Sequence, residues 1–266
     1  MGYRMIAIDL DDTLLSKTKT IPERAALAVR KAAGAGLRVV LCTGRTIKGM
    51  QRFHEALGLD TPMITSGGAE VYDANGSILY ANRLDPKSVH DVLSFAQEYG
   101  VHAQVYIDGE LAFYKHNAEA AKYERSYGFP GIEIPDLYER KDIVTPKVLL
   151  IAEPDMIISM QQEALKRFPE LVIKRSMPIY LEFVRPGVDK GVAMRFIADS
   201  YGIDLKDVAA IGDSEIDVPM IQAAGLGVAV ANASEETKAA ADMVCGSNDD
   251  AGVADVIEII LREETT

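Results

Sequence analysis

The chain opens with an apolar run, Met5 to Ile8, that stops abruptly at Asp9-Leu10-Asp11-Asp12. A short run without polar alternation predicts a strand buried on both faces. Residues 22–36 begin with Pro22 and Glu23, continue as RAALAVRKAA and close at Gly34 and Gly36, which is helix punctuation. LRVVLC (37–42) predicts a second buried strand ending in Thr43-Gly44-Arg45, and PMIT (62–65) a third leading into Ser66-Gly67-Gly68-Ala69. Strand, helix and strand joined by short glycine-containing links predict a parallel α/β sheet.

Past residue 82 the pattern changes. AQVYI and ELAFY flank Asp108-Gly109, a hairpin signal, with helical segments at about 86–99 and 118–127. KVLLIA (147–152), a helix over 154–167, and the strands LVIK and IYLEFV follow. Adjacent strand pairs mixed with helices predict an α+β module with an antiparallel sheet. From Pro186-Gly187 the earlier rhythm resumes: helix 190–202, strand VAAIG, helix 217–224, strand GVAV and a helix from about 251 to 263. The economical division is one α/β domain, residues 1–82 and 187–266, carrying an inserted module over 83–186. Two sequential domains with a boundary near residue 140 are the alternative.

Composition narrows the setting. The 266 residues are 48% hydrophobic and 26% charged, as in globular proteins, and no apolar stretch reaches membrane-span length. No leader segment is expected, and the cytoplasm is the expected compartment. A formal net charge of −12 argues against non-specific nucleic-acid binding, which needs a basic face. Neither a membrane nor an obligate protein partner is expected. Cys42 and Cys245 form no disulfide framework, and Cys42, inside VVLC, reads as a buried thiol.

The chemistry gathers where predicted strands end, as ligand sites do in open parallel sheets. Asp9 and Asp11, on a period-2 face, would crowd one volume, and a hard Mg²⁺ ion relieves such repulsion best. VAAIGDSEID repeats the logic: a strand ends at Gly212, and Asp213 can complete a metal site with Asp9 and Asp11. Asp217 opens the next helix, where a carboxylate also suits the helix dipole. Thr43 and Gly44 offer a hydroxyl and open backbone N–H groups to phosphate oxygens. Lys190 lies at a helix start, a place unfavourable to a cation unless it neutralises phosphate or Asp9.

DLDDTLL at 9–15, TGR at 43–45, DKG at 189–191, GDSEID at 212–217 and GVAVANA at 227–233 together resemble the haloacid dehalogenase-like hydrolases, specifically Cof-type phosphatases. The resemblance implies a Rossmann-like parallel-sheet core with an inserted α+β cap domain. It also implies a Mg²⁺-dependent phosphatase for small phosphorylated metabolites, sugar phosphates foremost, working through an aspartyl-phosphate. Asp9 would be the nucleophile and Asp11 the acid and base. Asp9, the Asp11 carbonyl and Asp213 would hold Mg²⁺, with Asp217 supporting through water. Leu10, Thr43, Gly44 and Lys190 would bind the phosphoryl group. Arg45 would pair with a carboxylate or with substrate.

Phosphotransferase or mutase chemistry, a low-turnover metal-binding relative and a phospho-acceptor receiver domain are the alternatives. Asp11 and the long insertion speak against the receiver. Relatives usually carry Gly where this chain has Asp12, and Asn where it has Ile216 and Gly67. Two amides near the phosphate site are thus absent together, and they are expected to act as a coupled pair. His102, Gln104, Tyr106, Tyr180 and Glu182 are cap candidates for substrate contact, each weighed against packing inside the module. Phe95, Tyr99 and Tyr123 read as core, and Ser247 to Asp250 as a solvated loop and helix cap.

Overall fold

The computed structural model describes residues 2–263 and resolves them into two compact units. The first comprises the residues up to Gly44, Met50–Tyr80 and those from Asp189 onward; the second comprises Arg45–Gly49 and Ala81–Val188.

The first unit is built on β1 (Met5–Asp9), β2 (Arg38–Cys42), β3 (Met63–Thr65), β4 (Glu70–Tyr72) and β5 (Ile78–Ala81) from the early chain. The late chain adds β12 (Val208–Gly212), β13 (Leu226–Ala229) and β14 (Met243–Val244). Among the described residues they form one sheet in the order β14-β13-β12-β1-β2-β3-β4-β5. It is parallel from β14 to β3, and β4 turns back antiparallel on β3. β1 lies central, Met5 opposite Val208 on one side and Arg38 on the other. All five of its residues are buried, as an apolar run between covered faces requires.

Helix α6 (Lys190–Ser200) lays Ala193, Met194 and Ile197 against Met5, Ala7, Val40 and Cys42. Helices α1 (Glu23–Gly34) and α9 (Gly252–Glu263) are tied by Arg24, which reaches Asp255 and Glu258. The sequence reading missed the strands β4, β5 and β14 and the helices α2 (Ile47–Leu57) and α8 (Glu235–Ala240). Helix α7 (Val218–Ala223) follows β12 after a single 3₁₀ turn, Glu215–Asp217.

The second unit holds a six-stranded sheet. Its strands are β6 (His102–Ile107), β7 (Glu110–Phe113), β8 (Ile132–Glu133), β9 (Val148–Ile151), β10 (Val172–Met177) and β11 (Tyr180–Val184), ordered β10-β11-β9-β6-β7-β8. All neighbours are antiparallel except β7 with β8. Asp108 and Gly109 both take positive φ (50° and 80°), the backbone a two-residue hairpin demands. Helices α3 (Pro86–Tyr99) and α5 (Pro154–Arg167) pack on one face around Phe95, Phe168 and Phe183. Helix α4 (Ala118–Tyr127) packs Tyr123 with Tyr106 and Tyr180.

The second unit's polar candidates bond mainly to one another. His102 joins Gln104 (3.2 Å), Gln104 donates to the Tyr106 hydroxyl (2.8 Å), and that hydroxyl meets Tyr123 (2.7 Å). Burial pushes the Tyr106 and Tyr123 hydroxyls well above the usual phenol range. Glu182 accepts from Lys147 (3.2 Å) and Ser176 (2.6 Å), and these charges and bonds outweigh burial to hold its carboxyl low. No helix among the described residues is long and apolar enough to cross a membrane.

Candidate active site

The site forms at the carboxyl end of β1. The strand ends at Asp9 and the chain folds at once into a π-helical turn, Leu10–Leu14, closed by the Leu15 N–H donating to the Leu10 carbonyl (2.8 Å). Asp12 sits in the left-handed region (φ 58°), which a short polar residue tolerates. The period-2 argument therefore fails for Asp11. It lies beyond the strand, and its partly exposed carboxylate reaches Lys19 at 3.4 Å.

The carboxylate group that does form contains Asp9, Asp213 and Asp217, with one oxygen of each within 4.8 Å of the others. Their gathering follows from topology, since β12 is hydrogen-bonded alongside β1 and ends one residue before Asp213. Gly212 permits the next turn to curl back: a Cβ there would lie 2.4 Å from the Asp217 Cβ. Asp217 Oδ2 then accepts from the Asp213 N–H (3.1 Å), the Ser214 N–H (3.0 Å) and the Ser214 hydroxyl (2.9 Å).

Lys190, fully buried at the start of α6, donates to Asp9 Oδ1 (2.6 Å) and Asp217 Oδ1 (2.5 Å). Burial pulls its pKa down, but the charges of Asp217 and Asp9 outweigh burial and hold it above the ordinary lysine value. Burial, and then the Asp217 charge, push the Asp9 carboxyl well up against the pull of Lys190. The Asp213 carboxyl is pushed up to about 6 by burial and Asp217, although Thr13 donates to its Oδ1 at 3.0 Å. When all three are ionised, three carboxylates face one ammonium, an excess of two negative charges. The second oxygen of Asp9 is buried with no hydrogen-bond partner among the described residues. A divalent cation or an electrophile answers both features. Asp217 is the least free to ligate, since both its oxygens are already engaged.

Thr43 and Gly44 follow β2, whose last residue pairs with Asp9. The Thr43 main chain is pinned by its N–H to Ile64 (2.9 Å) and its carbonyl from Gly67 (2.9 Å). Ile216 approaches this loop; its Cδ1 lies 3.8 Å from where a Cβ on Gly44 would stand. Arg45 groups with the second unit, its guanidinium over the Tyr127 ring at 5.5 Å. Cys42 is buried and burial raises its thiol pKa, as suits an inert residue.

Sequence reasoning passed over Thr13 and Ser214, whose hydroxyls orient two of the three carboxylates. Both stand inside the acidic motifs, which was the available signal. It also read Ser247 to Asp250 as solvated, whereas Asn248 is buried and donates to the Leu15 carbonyl (2.9 Å).

A model of the haloacid dehalogenase-like hydrolase family matches residues 6–257. The chain belongs to that family. Its motifs and inserted α+β unit are those of the Cof type, and it is a phosphoric monoester hydrolase. It is 32% identical to the 5-amino-6-(5-phospho-D-ribitylamino)uracil phosphatase YcsE of Bacillus subtilis, over 97% of this chain and 95% of that one. With the pyridoxal phosphate phosphatase YbhA of Escherichia coli it shares 28% identity, over 97% and 98%. A haloacid dehalogenase-like hydrolase structure from Bacteroides thetaiotaomicron superposes with a TM-score of 0.90 at 27% identity, covering 97% of this chain and 99% of that one.

Proposed function

We propose that this hydrolase is a Mg²⁺-dependent phosphatase of small phosphorylated metabolites, sugar phosphates foremost, that works in the cytoplasm through an aspartyl-phosphate on Asp9. The observation that carries the reading is Asp9 itself. One oxygen is held by Lys190 at 2.6 Å, and the other is buried without a partner. That leaves one oriented oxygen for attack on phosphorus.

Asp9 Oδ2 bonds to phosphorus as the ester P–O bond breaks. Asp11, at the mouth of the turn, gives the departing alkoxide a proton. It then takes one from the water that attacks the aspartyl-phosphate and frees Asp9. Thr43, Gly44 and the Leu10 N–H receive the phosphoryl oxygens, and Lys190 neutralises charge on the transferring group. Asp9, Asp213 and the Asp11 carbonyl would hold Mg²⁺, with Asp217 behind them. The excess of two negative charges fits one such ion. Bound there, Mg²⁺ supplies charge neutralisation at the phosphoryl oxygens.

The names of the two phosphatases above specify small phosphorylated molecules, which supports that substrate class. The test is a panel of phosphorylated metabolites with Mg²⁺, run on wild type and Asp9→Asn. Wild type is expected to release phosphate and the variant to lose at least about a thousandfold in kcat/KM. Phosphate release by Asp9→Asn at the wild-type rate removes Asp9 as nucleophile.

A further inference from the structure

The turn that presents Asp11 is gripped from the far end of the sequence at three points. Asn232 Nδ2 donates to the Asp12 carbonyl at 2.7 Å. The Thr13 hydroxyl donates to Asp213 at 3.0 Å. Asn248 Nδ2 donates to the Leu15 carbonyl at 2.9 Å. The two asparagines are themselves joined, because the Asn248 N–H donates to Asn232 Oδ1 at 2.9 Å.

Two details argue that this bracket does more than fill space. Asn248 is buried, yet its Oδ1 has no hydrogen-bond partner among the described residues. Leaving a buried amide oxygen unpaired costs free energy, and such an exception calls for a reason. Here the donor end of the same amide is what reaches the turn. The turn also needs restraint, because Asp12 is a non-glycine residue at positive φ and Asp11 itself is non-helical (φ −76°, ψ 129°).

We propose that Asn232 and Asn248 are positioning residues for the reaction: together they fix the 12–15 backbone and so hold the Asp11 carboxyl where it meets the leaving oxygen. This rests on the phosphatase reading, in which Asp11 is the proton donor. A positioning residue for an acid has a signature that a merely structural one lacks. Its loss weighs most on esters whose leaving group needs a proton.

The experiment compares Asn232→Ala and Asn248→Ala with wild type on phenyl phosphate and 4-nitrophenyl phosphate, two esters of similar size. 4-Nitrophenolate departs as a stable anion, whereas phenolate depends more on the acid. We expect kcat/KM, which reports phosphoryl transfer to Asp9, to fall about tenfold on phenyl phosphate and less than about threefold on 4-nitrophenyl phosphate. Asn232 is exposed, so its variant is expected to fold even where Asn248→Ala does not.

A second readout needs no activity. Hydrogen exchange at the Leu15 amide should quicken about tenfold in Asn232→Ala while the β1 amides keep their rates. Equal losses on both esters, or unchanged exchange at Leu15, overturn the proposal. If wild type cleaves neither ester, the metabolite panel still tests the phosphatase reading, and unchanged exchange at Leu15 overturns the bracket.

Discussion

Ile216 stands where the resemblance to Cof-type phosphatases leads one to expect an amide, and its side chain leans toward Gly44. Gly67, the other replaced position, has φ +68° and no atom within 4 Å of where a Cβ would stand. Asparagine tolerates that backbone, so its side chain fits there without displacing a neighbour. If the two amides work as a pair, Ile216→Asn alone should change kcat/KM by less than about threefold, and adding Gly67→Asn should raise it further. A tenfold gain from Ile216→Asn alone would defeat the coupling. At this scale the gathering of Asp9, Lys190 and Asp213 was legible, because each sits at a strand end or helix start. It was opaque for Asn232 and Asn248, whose partners lie more than 200 residues away.

Between elements, the turn after β3 comes close to the start of α6. Gly68 takes φ +98°, and a Cβ there would lie 2.1 Å from the Asp189 carbonyl oxygen. Asp189 caps α6 by accepting from the Val192 N–H at 2.8 Å, so any displacement reaches Lys190 next door. Gly68→Ala is expected to cost about 2 kcal/mol or more, roughly 5 °C in Tm by calorimetry, with kcat falling alongside. A variant as stable and as active as wild type would show that this contact can give way.

Elements with strong punctuation were readable in advance. The helices over 86–99 and 118–127 begin at caps from Asp85 and Asn117, and they end at Gly100 and Gly128 in left-handed conformations. Helix α2 was missed. Its buried Ile47, Met50, Phe53 and Leu57 have helical spacing between Thr46 and the left-handed Gly58, but Gly49 interrupts the run. α8 and β14 span six and two residues, too short for periodicity to show.

For the whole molecule, the acidic group ties folding to pH and to cations. In the folded protein the Asp213 carboxyl stands at about 6, above the ordinary 3.8. The folded state therefore holds this proton more tightly than the unfolded one. The stability so contributed is present at low pH and is lost as pH rises through about 6. Above that, the uncompensated carboxylates weigh against the fold, and a bound cation reverses the balance. At pH 7.5, Mg²⁺ at about a hundred times its Kd should add about 2.7 kcal/mol, a rise in Tm of roughly 5–10 °C. At pH 5 protons compete for the same oxygens, and the rise should be less than half as large. Calorimetry at both pH values checks this; equal shifts would disconnect the ion from Asp213.

The salt bridge from Lys190 to Asp9 spans 181 positions. On the ribosome Asp9 is made long before Lys190, whose ammonium emerges only after the whole inserted unit. β1 meanwhile has β2 on one edge, but its other edge waits for β12, which ends at Gly212. An exposed apolar strand edge invites pairing with other chains. A nascent chain of this protein is therefore most vulnerable to aggregation while residues 83–188 are being synthesised. Its chemistry switches on late in synthesis, once the last acidic turn has left the exit tunnel.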